Sequence, residues 1–142
     1  MKRIIVYGLL VGVSLFTFMF IVTCNLIGFD VSQRCQIAQD RYKGDCVEAL
    51  ISYLKDEDNS YQSRNSAIWA LGQLGDERAL PTLKEIYTGD IPDKEPLNER
   101  ISQYELKKAI NLTSGGFNIT KLVRANILFT KKKKIPTYFT SP

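Results

Sequence analysis

The chain of 142 residues contains no histidine. Histidine is the commonest general base in enzymes and the commonest metal ligand in proteins. Its absence excludes a Ser-His or Cys-His nucleophile pair and any zinc site that uses a histidine ligand. The one carboxylate cluster, Asp56 to Asp58, lies in a polar turn, where solvation is the ordinary explanation. The sequence therefore predicts no catalytic residue, metal site, cofactor or small-molecule substrate, and we expect that the chain is not an enzyme.

Clustered positive charge is also scarce. The net charge is +4, and without Lys131 to Lys134 the 15 remaining basic residues equal the 15 acidic ones. A nucleic-acid surface would need lysine and arginine clustered on a folded face with aromatic side chains available for stacking. We therefore expect no nucleic-acid partner. Residues 131–142 are predicted to form a basic, disordered tail, with a weak attraction to anionic lipid as the alternative.

Cysteine is rare, with three residues and no CxxC motif. Cys35 and Cys46 are eleven residues apart, and on an oxidising face they could pair and close a small loop. Two unrelated thiols are the alternative. Cys24 follows Ile21-Val22-Thr23, which resembles a loose bacterial lipobox. Because Thr23 stands where such signals usually have a smaller residue, the pattern favours an unmodified membrane cysteine over lipidation of Cys24.

Charge is entirely missing from Ile4 to Phe29, a run of 26 residues. As a helix rising ~1.5 Å per residue, the run is long enough to cross a hydrocarbon core about 30 Å thick. Residues 1–29 are thus predicted to be a transmembrane anchor or signal-anchor that contacts lipid through residues 4–29. A cleaved secretory signal and a lipoprotein signal are the alternatives, but the run is longer than a usual signal sequence. Gly8 and Gly12 have the spacing of a small-residue helix-packing face.

The orientation of this anchor is less strongly indicated. Lys2 and Arg3 precede the apolar run, while Arg34, Arg41 and Lys43 follow it, so the positive charges do not favour either side. The short basic N-terminus favours a cytoplasmic N-terminus. The rest of the chain would then lie on the outer side, which is periplasmic or extracellular.

After a stem at 30–44, the apolar residues follow a helical period. Val47, Leu50, Ile51 and Leu54 mark one face of a first helix over 46–56, and a second helix is predicted over 61–74. The pair Gly44-Asp45 returns 31 residues later as Gly75-Asp76, where a third helix is predicted over 77–87. Glycine can end a helix in the left-handed conformation and aspartate can cap the next one. A period near this length is typical of helical repeat arrays.

Two more helices are predicted beyond the loop at 88–96. One covers 97–112, with an apolar face of Ile101, Tyr104, Ala109 and Ile110, and pairs with the helix over 77–87. The other covers 119–130 and closes the open end of the stack. The predicted fold is all-α: a transmembrane helix followed, over 45–130, by a short solenoid of stacked antiparallel helix pairs.

The segment from Val47 to Tyr87 resembles the HEAT-like repeats of bacterial proteins, especially the short kind found in phycobilisome lyases. Residues 62–76 follow the consensus V-R-x-x-A-A-x-A-L-G-x-L-G-D, with Arg64 at the consensus arginine. Ser63 replaces the usual valine and Ser66 replaces one alanine. The resemblance covers about 44–90 and is weaker to 116. It implies a right-handed stack of helix pairs that binds proteins and is not catalytic.

These observations predict a membrane-anchored protein-binding scaffold, an accessory subunit of a larger membrane protein assembly whose partners are membrane proteins. The alternative is a secreted or lipid-anchored soluble HEAT-repeat binding protein from which residues 1–23 are removed. Trp69 and Arg64 are the candidate partner contacts. Trp69 lies one step off the apolar stripe and is more simply a packing residue, and Arg64 is expected to bond Asp76 or Glu77.

Overall fold

The computed structural model describes residues 2–118, and within that range every regular element is helical. The helices are α1 (Lys2–Gln39), α2 (Cys46–Lys55), α3 (Tyr61–Leu74), α4 (Leu80–Ile86) and α5 (Gln103–Thr113), with a 3-10 turn at Glu77–Ala79. The predicted all-helical class is therefore confirmed. The predicted helix over 119–130 and the predicted basic tail over 131–142 lie outside the described residues.

α1 is a single helix of 38 residues that runs from the apolar segment into the domain. The predicted stem at 30–44 is helical as far as Gln39, so only six of its fifteen positions form the turn before α2. No glycine or proline interrupts residues 30–39, and Asp30 pairs with Arg34 one turn later at 3.6 Å. The apolar segment and the domain thus share one helix.

Burial along α1 changes with position. Every residue from Arg3 to Ile21 is exposed, whereas Val31 and Ala38 are each only 1 % exposed. The end of α1 packs on α2 and α3, and Cys35 and Ala38 are part of the domain's hydrophobic core. By length and composition α1 is one helix that could cross a membrane, and a signal sequence would satisfy the same criterion.

The two Gly-Asp corners organise the helix starts. Gly44 has φ +120° and Gly75 has φ +59°, a region that favours glycine because other residues carry a Cβ. The Asp45 carboxylate accepts from the amides of Val47 at 2.9 Å and Glu48 at 3.0 Å. The Glu48 carboxylate in turn accepts from the Asp45 amide at 3.2 Å, which completes a capping box.

The second corner leads first into the 3-10 turn, so α4 begins at Leu80 and not at residue 77 as predicted. The reason is Pro81, which has no N–H to donate to the Glu77 carbonyl one α-helical turn before it. Regular α-helical bonding therefore cannot run through from 77, whereas proline is well tolerated in the first turn of a helix.

α3 lies at the centre of the domain, packed against α2 on one side and α5 on the other. Gly72 allows a close approach of α3 to α5, since a Cβ there would lie 2.9 Å from the Cα of Ala109. α4 packs on α5 as predicted. The fully buried large side chains of the core come from four helices: Leu50, Leu54, Ile68, Leu71, Leu83 and Leu106.

α5 differs most from the prediction, because it begins at Gln103 and not at residue 97. Asn65 of α3 holds the preceding segment in a turn: its side chain donates to the carbonyls of Leu97 (2.9 Å) and Arg100 (2.8 Å). It also accepts from the Ser102 amide at 2.9 Å. Tyr104 is 52 % exposed and does not belong to the core, whereas Leu106 is fully buried.

Candidate functional site

A groove opens between the end of α1 and one face of α3. It encloses a cavity of about 280 Å³ and is called the α1–α3 groove below. The residues that line it come from α1, from α3, and from α5 with the segment before it: Asp30, Arg34, Gln62, Asn65, Ser66, Trp69, Leu97 and Glu105. Residues 62, 66 and 69 share one helical face because their spacings are four and three.

The polar groups of the groove are unevenly partnered. The buried Nε of Arg34 lies 3.6 Å from the Asp30 carboxylate and has no hydrogen-bond partner among residues 2–118. The Glu105 carboxylate pairs with Lys108 Nζ at 2.7 Å. Asn65 is fully used in holding the turn before α5, as described above. Arg34 is therefore the one cation of the groove, and its donors are only loosely satisfied by the described residues.

Trp69 and Arg64, the predicted partner contacts, do not come together. Five residues apart at 100° each, they point about 140° away from one another around α3. Trp69 is half-buried against the core and lines the α1–α3 groove. The two residues therefore cannot form a single contact surface with one another.

Arg64 does not bond Asp76 or Glu77, so that prediction is wrong. Its Nε donates to the Leu54 carbonyl at 2.8 Å, and its guanidinium lies 5.8 Å from the ring centroid of Tyr61. Leu54 belongs to the last turn of α2, whose carbonyls lack intrahelical donors. Asp76 lies beyond the far end of α3, twelve residues or roughly 18 Å along the axis. Arg64 thus fastens the end of α2 to the start of α3.

The acidic residues of the two corners are joined by Arg78, which the sequence reasoning missed. Arg78 Nη1 donates to Asp45 at 2.6 Å, and Nη2 donates to Asp76 at 2.9 Å. Hydrogen bonds from the Glu48 amide and from Arg78 hold the pKa of Asp45 below its usual value. The Asp76 and Asp45 carboxylates raise the pKa of Arg78 above its usual value. The recurrence of Gly-Asp was the available signal, because two equivalent aspartates were bound to meet one cation.

Cys35 and Cys46 form a disulfide, with Cα atoms 5.0 Å apart, which ties α1 to the first residue of α2. The loop it closes carries Tyr42, whose hydroxyl donates to the Asp56 carboxylate and accepts from Asn59 Nδ2 at 2.9 Å. That pairing raises the pKa of Tyr42 and lowers the pKa of Asp56. Asp56 is thereby engaged in holding the loop to the turn between α2 and α3.

The predicted sites within α1 remain separate from the domain. Gly8 and Gly12 are exposed, and a Cβ added at either would meet no described atom within 4 Å. They border a shallow apolar depression of about 480 Å³ together with Leu9, Val13 and Phe16. Cys24 is a free, half-buried thiol.

The described residues thus define an all-helical interaction domain continuous with a long apolar helix. Residues 34–95 match the family model of HEAT repeats, so this part of the chain is HEAT-like, as its sequence indicates. The match begins inside α1, ten residues before the resemblance starts in the sequence, and ends in the loop after α4. Neither a curated protein nor a solved structure matches the chain.

Proposed function

We propose that this chain is a non-catalytic, membrane-anchored scaffold that binds a protein partner beside the membrane, as an accessory subunit of a larger membrane assembly. The observation that carries the proposal is the continuity of α1. Its first half is apolar and exposed, and its last turns belong to the core of a HEAT-like domain. HEAT repeats generally serve protein interaction, which supports a partner made of protein.

The exposed apolar surface of α1 supports the membrane assignment. Side chains such as Ile4 (76 % exposed) and Phe16 (75 % exposed) recur around the whole helix from Ile4 to Ile21. A contiguous apolar surface of this length needs cover, and a hydrocarbon core about 30 Å thick matches it. Within the bilayer, the depression at Gly8 and Gly12 would admit the backbone of a neighbouring transmembrane helix.

The Cys35–Cys46 disulfide supports an orientation. Disulfides persist in oxidising compartments and are rare in the cytosol. We infer a cytoplasmic N-terminus and a repeat domain on the outer side. On that side, Tyr61 (43 % exposed) and Arg64 offer an aromatic and arginine pair of the type enriched where protein partners bind.

Gentle detergent extraction of the tagged full chain, followed by cross-linking and mass spectrometry, tests the proposal. We expect one or more membrane proteins to co-purify, and we expect Gly8→Leu with Gly12→Leu to reduce the yield of the partner. Lys107→Ala, on the exposed side of α5, is the matched control. A chain that stays monomeric and retains no partner would overturn the scaffold.

Two further measurements separate the scaffold from its alternative. Mass spectrometry of the mature chain should show an intact Met1, whereas a diacylated Cys24 would establish the lipid-anchored alternative. Protease added to sealed cells or vesicles should reach the repeat domain only from the outer side. Digestion only from the cytoplasmic side would overturn the orientation.

A further inference from the structure

We propose that the α1–α3 groove binds the phosphodiester headgroup of a zwitterionic membrane phospholipid. This inference rests on the proposed function, because it takes α1 to cross the bilayer. The residues that carry it are Arg34 as the phosphate donor and Trp69 as the wall beside it.

The position of the groove favours a headgroup. Asp30 is the first charged residue after the apolar run, and Arg34 follows one helical turn later. Since α1 is unbroken, Arg34 lies about 7–8 Å along the axis beyond Phe29. The headgroup layer extends roughly 5–8 Å beyond the hydrocarbon on each side of a bilayer. The groove therefore opens at the depth where phosphates lie.

The chemistry of the groove also fits. The Arg34 Nε is buried without a hydrogen-bond partner among residues 2–118, and a buried donor gains by meeting an acceptor. Arginine binds phosphate oxygens through two parallel N–H donors. The Trp69 indole is an amphipathic ring of the kind that concentrates at membrane interfaces. Gln62 adds an exposed amide that can donate to the same anion.

The two carboxylates of the groove select among phosphates. Asp30 and Glu105 border the cavity alongside a single arginine, so a ligand with more than one negative charge would be repelled. Free phosphate has a second pKa near 6 and carries more than one charge at neutral pH, whereas a phosphodiester carries one. The ammonium of a zwitterionic headgroup would further complement Asp30 and Glu105.

The size of the groove argues against a folded partner. A cavity of about 280 Å³ is slightly below the usual range for drug-sized ligands. It accommodates a headgroup, whereas a protein segment would need a longer trough. A protein segment seated on Trp69 is the competing outcome of the test.

Trp69 is the only tryptophan of the chain, so its fluorescence reports directly on the groove. The full chain in maltoside micelles, which contain no phosphate, is titrated with dioleoyl phosphatidylethanolamine bearing a nitroxide on its headgroup. Parallel titrations use dioleoylglycerol and inorganic phosphate. We expect the labelled phospholipid to quench Trp69 with saturation, unlabelled phospholipid to compete, and the other two to compete weakly or not at all.

Arg34→Gln should raise the half-quenching lipid concentration by about tenfold, the effect of losing one charge-assisted hydrogen bond. Lys107→Gln removes the same charge from the exposed side of α5 and should leave that concentration unchanged. Arg34→Lys keeps the charge without the planar fork and should give a smaller rise. If Arg34→Gln melts at a lower temperature than the unsubstituted chain, the Arg34→Lys series decides the question.

Competition by inorganic phosphate as strong as that by unlabelled phospholipid would overturn the lipid in favour of a free phosphate compound. Quenching that is equal in the unsubstituted chain and both Arg34 variants would overturn the groove as a headgroup site. So would Trp69 protected by a co-purified protein and indifferent to lipid. A chain that stays soluble without detergent would overturn the membrane scaffold as well, so the two failures are distinguishable.

Discussion

The side chain of Asn65 organises the segment that enters α5. It is 4 % exposed and satisfies the Ser102 amide and the carbonyls of Leu97 and Arg100. The sequence shows an asparagine in the middle of an alanine-rich helix, where it is a poor helix former and gives no sign of its partners. Those partners are 32 to 37 residues away, and that distance explains why the start of α5 could not be predicted.

We expect Asn65→Ala to destabilise the domain by about 3 kcal/mol, because the substitution leaves a buried donor and two carbonyls without partners. Chemical unfolding of the purified chain in detergent, followed by circular dichroism, measures the loss. Gln62→Ala, an exposed position on the same helix, is the control and should change stability by less than about 0.5 kcal/mol. Equal stability of the two variants would contradict the role of Asn65.

The corner network at Asp45 predicts a dependence of stability on acid. The pKa of Asp45 is held below its usual value, so its stabilising contribution is fully present above an unfolded-state pKa of about 4. The contribution is lost as the pH falls through the lower pKa of the folded state. Asp45→Asn should therefore melt at a lower temperature than the unsubstituted chain at pH 7, and the difference should shrink below about pH 4.

Melting temperatures of both proteins between pH 2 and pH 7, flagged here as about the accessible range, check this expectation. Asp58→Asn, in the exposed turn between α2 and α3, serves as the control and should show no such convergence. A difference between Asp45→Asn and the unsubstituted chain that stays constant into acid would show that Asp45 acts through its cap geometry alone.

The packing of α3 on α5 depends on the small side chains that face each other there. A Cβ at Gly72 would lie 2.9 Å from the Cα of Ala109, which is closer than such atoms approach. In an unhindered helix, glycine to alanine would stabilise by about 1 kcal/mol. Here we expect Gly72→Ala to destabilise by about 1–3 kcal/mol, because the two helices must move apart.

Thermal unfolding of the purified chain measures the sign of this change. Gly28→Ala is the matched control, since a Cβ there meets no described atom within 4 Å. Stabilisation by Gly72→Ala would show that the two helices are not in close contact.

The disulfide joins α1 to α2 and closes a loop of eleven residues. Constraint of the unfolded chain over a loop of that length is worth about 3 kcal/mol. The double substitution Cys35→Ser with Cys46→Ser should lower the melting temperature in non-reducing buffer. It should also abolish the response to dithiothreitol, which Cys24→Ser should retain. A dithiothreitol response that persists in the double variant would contradict the pairing.

The helices differ in how far their sequences determine them. α2 and α3 were predicted to within about one residue at each end, because a capping aspartate, a left-handed glycine and a regular apolar period all agree. α4 was misplaced by one 3-10 turn that Pro81 imposes, and the sequence does show that proline. The continuation of α1 to Gln39 was missed because charged residues after an apolar run suggest a boundary in polarity, while the backbone needs none.

The groove between α1 and α3 was not predicted either. Its two walls are separated by about 30 residues, and only the packing of the end of α1 on α3 brings them together. Sequence reasoning did single out Trp69, because it lies off the apolar stripe. It gave Arg34 only a role in setting the orientation of the anchor.

The unbroken course of α1 fixes the height of the domain above the bilayer, because there is no flexible stem to vary it. Seven alanines inserted between Phe29 and Asp30 would extend the helix by about 10 Å and turn it by roughly −20°, so the groove would keep its direction but rise. We expect quenching of Trp69 by a headgroup nitroxide lipid, measured in nanodiscs, to fall to the level seen with Arg34→Gln. The same insert between Lys2 and Arg3 is the control, since it lengthens the chain without moving the groove. Quenching that survives the insertion at residue 30 would mean that α1 bends or shifts at the membrane surface, and the fixed height of the repeat domain would then have to be given up.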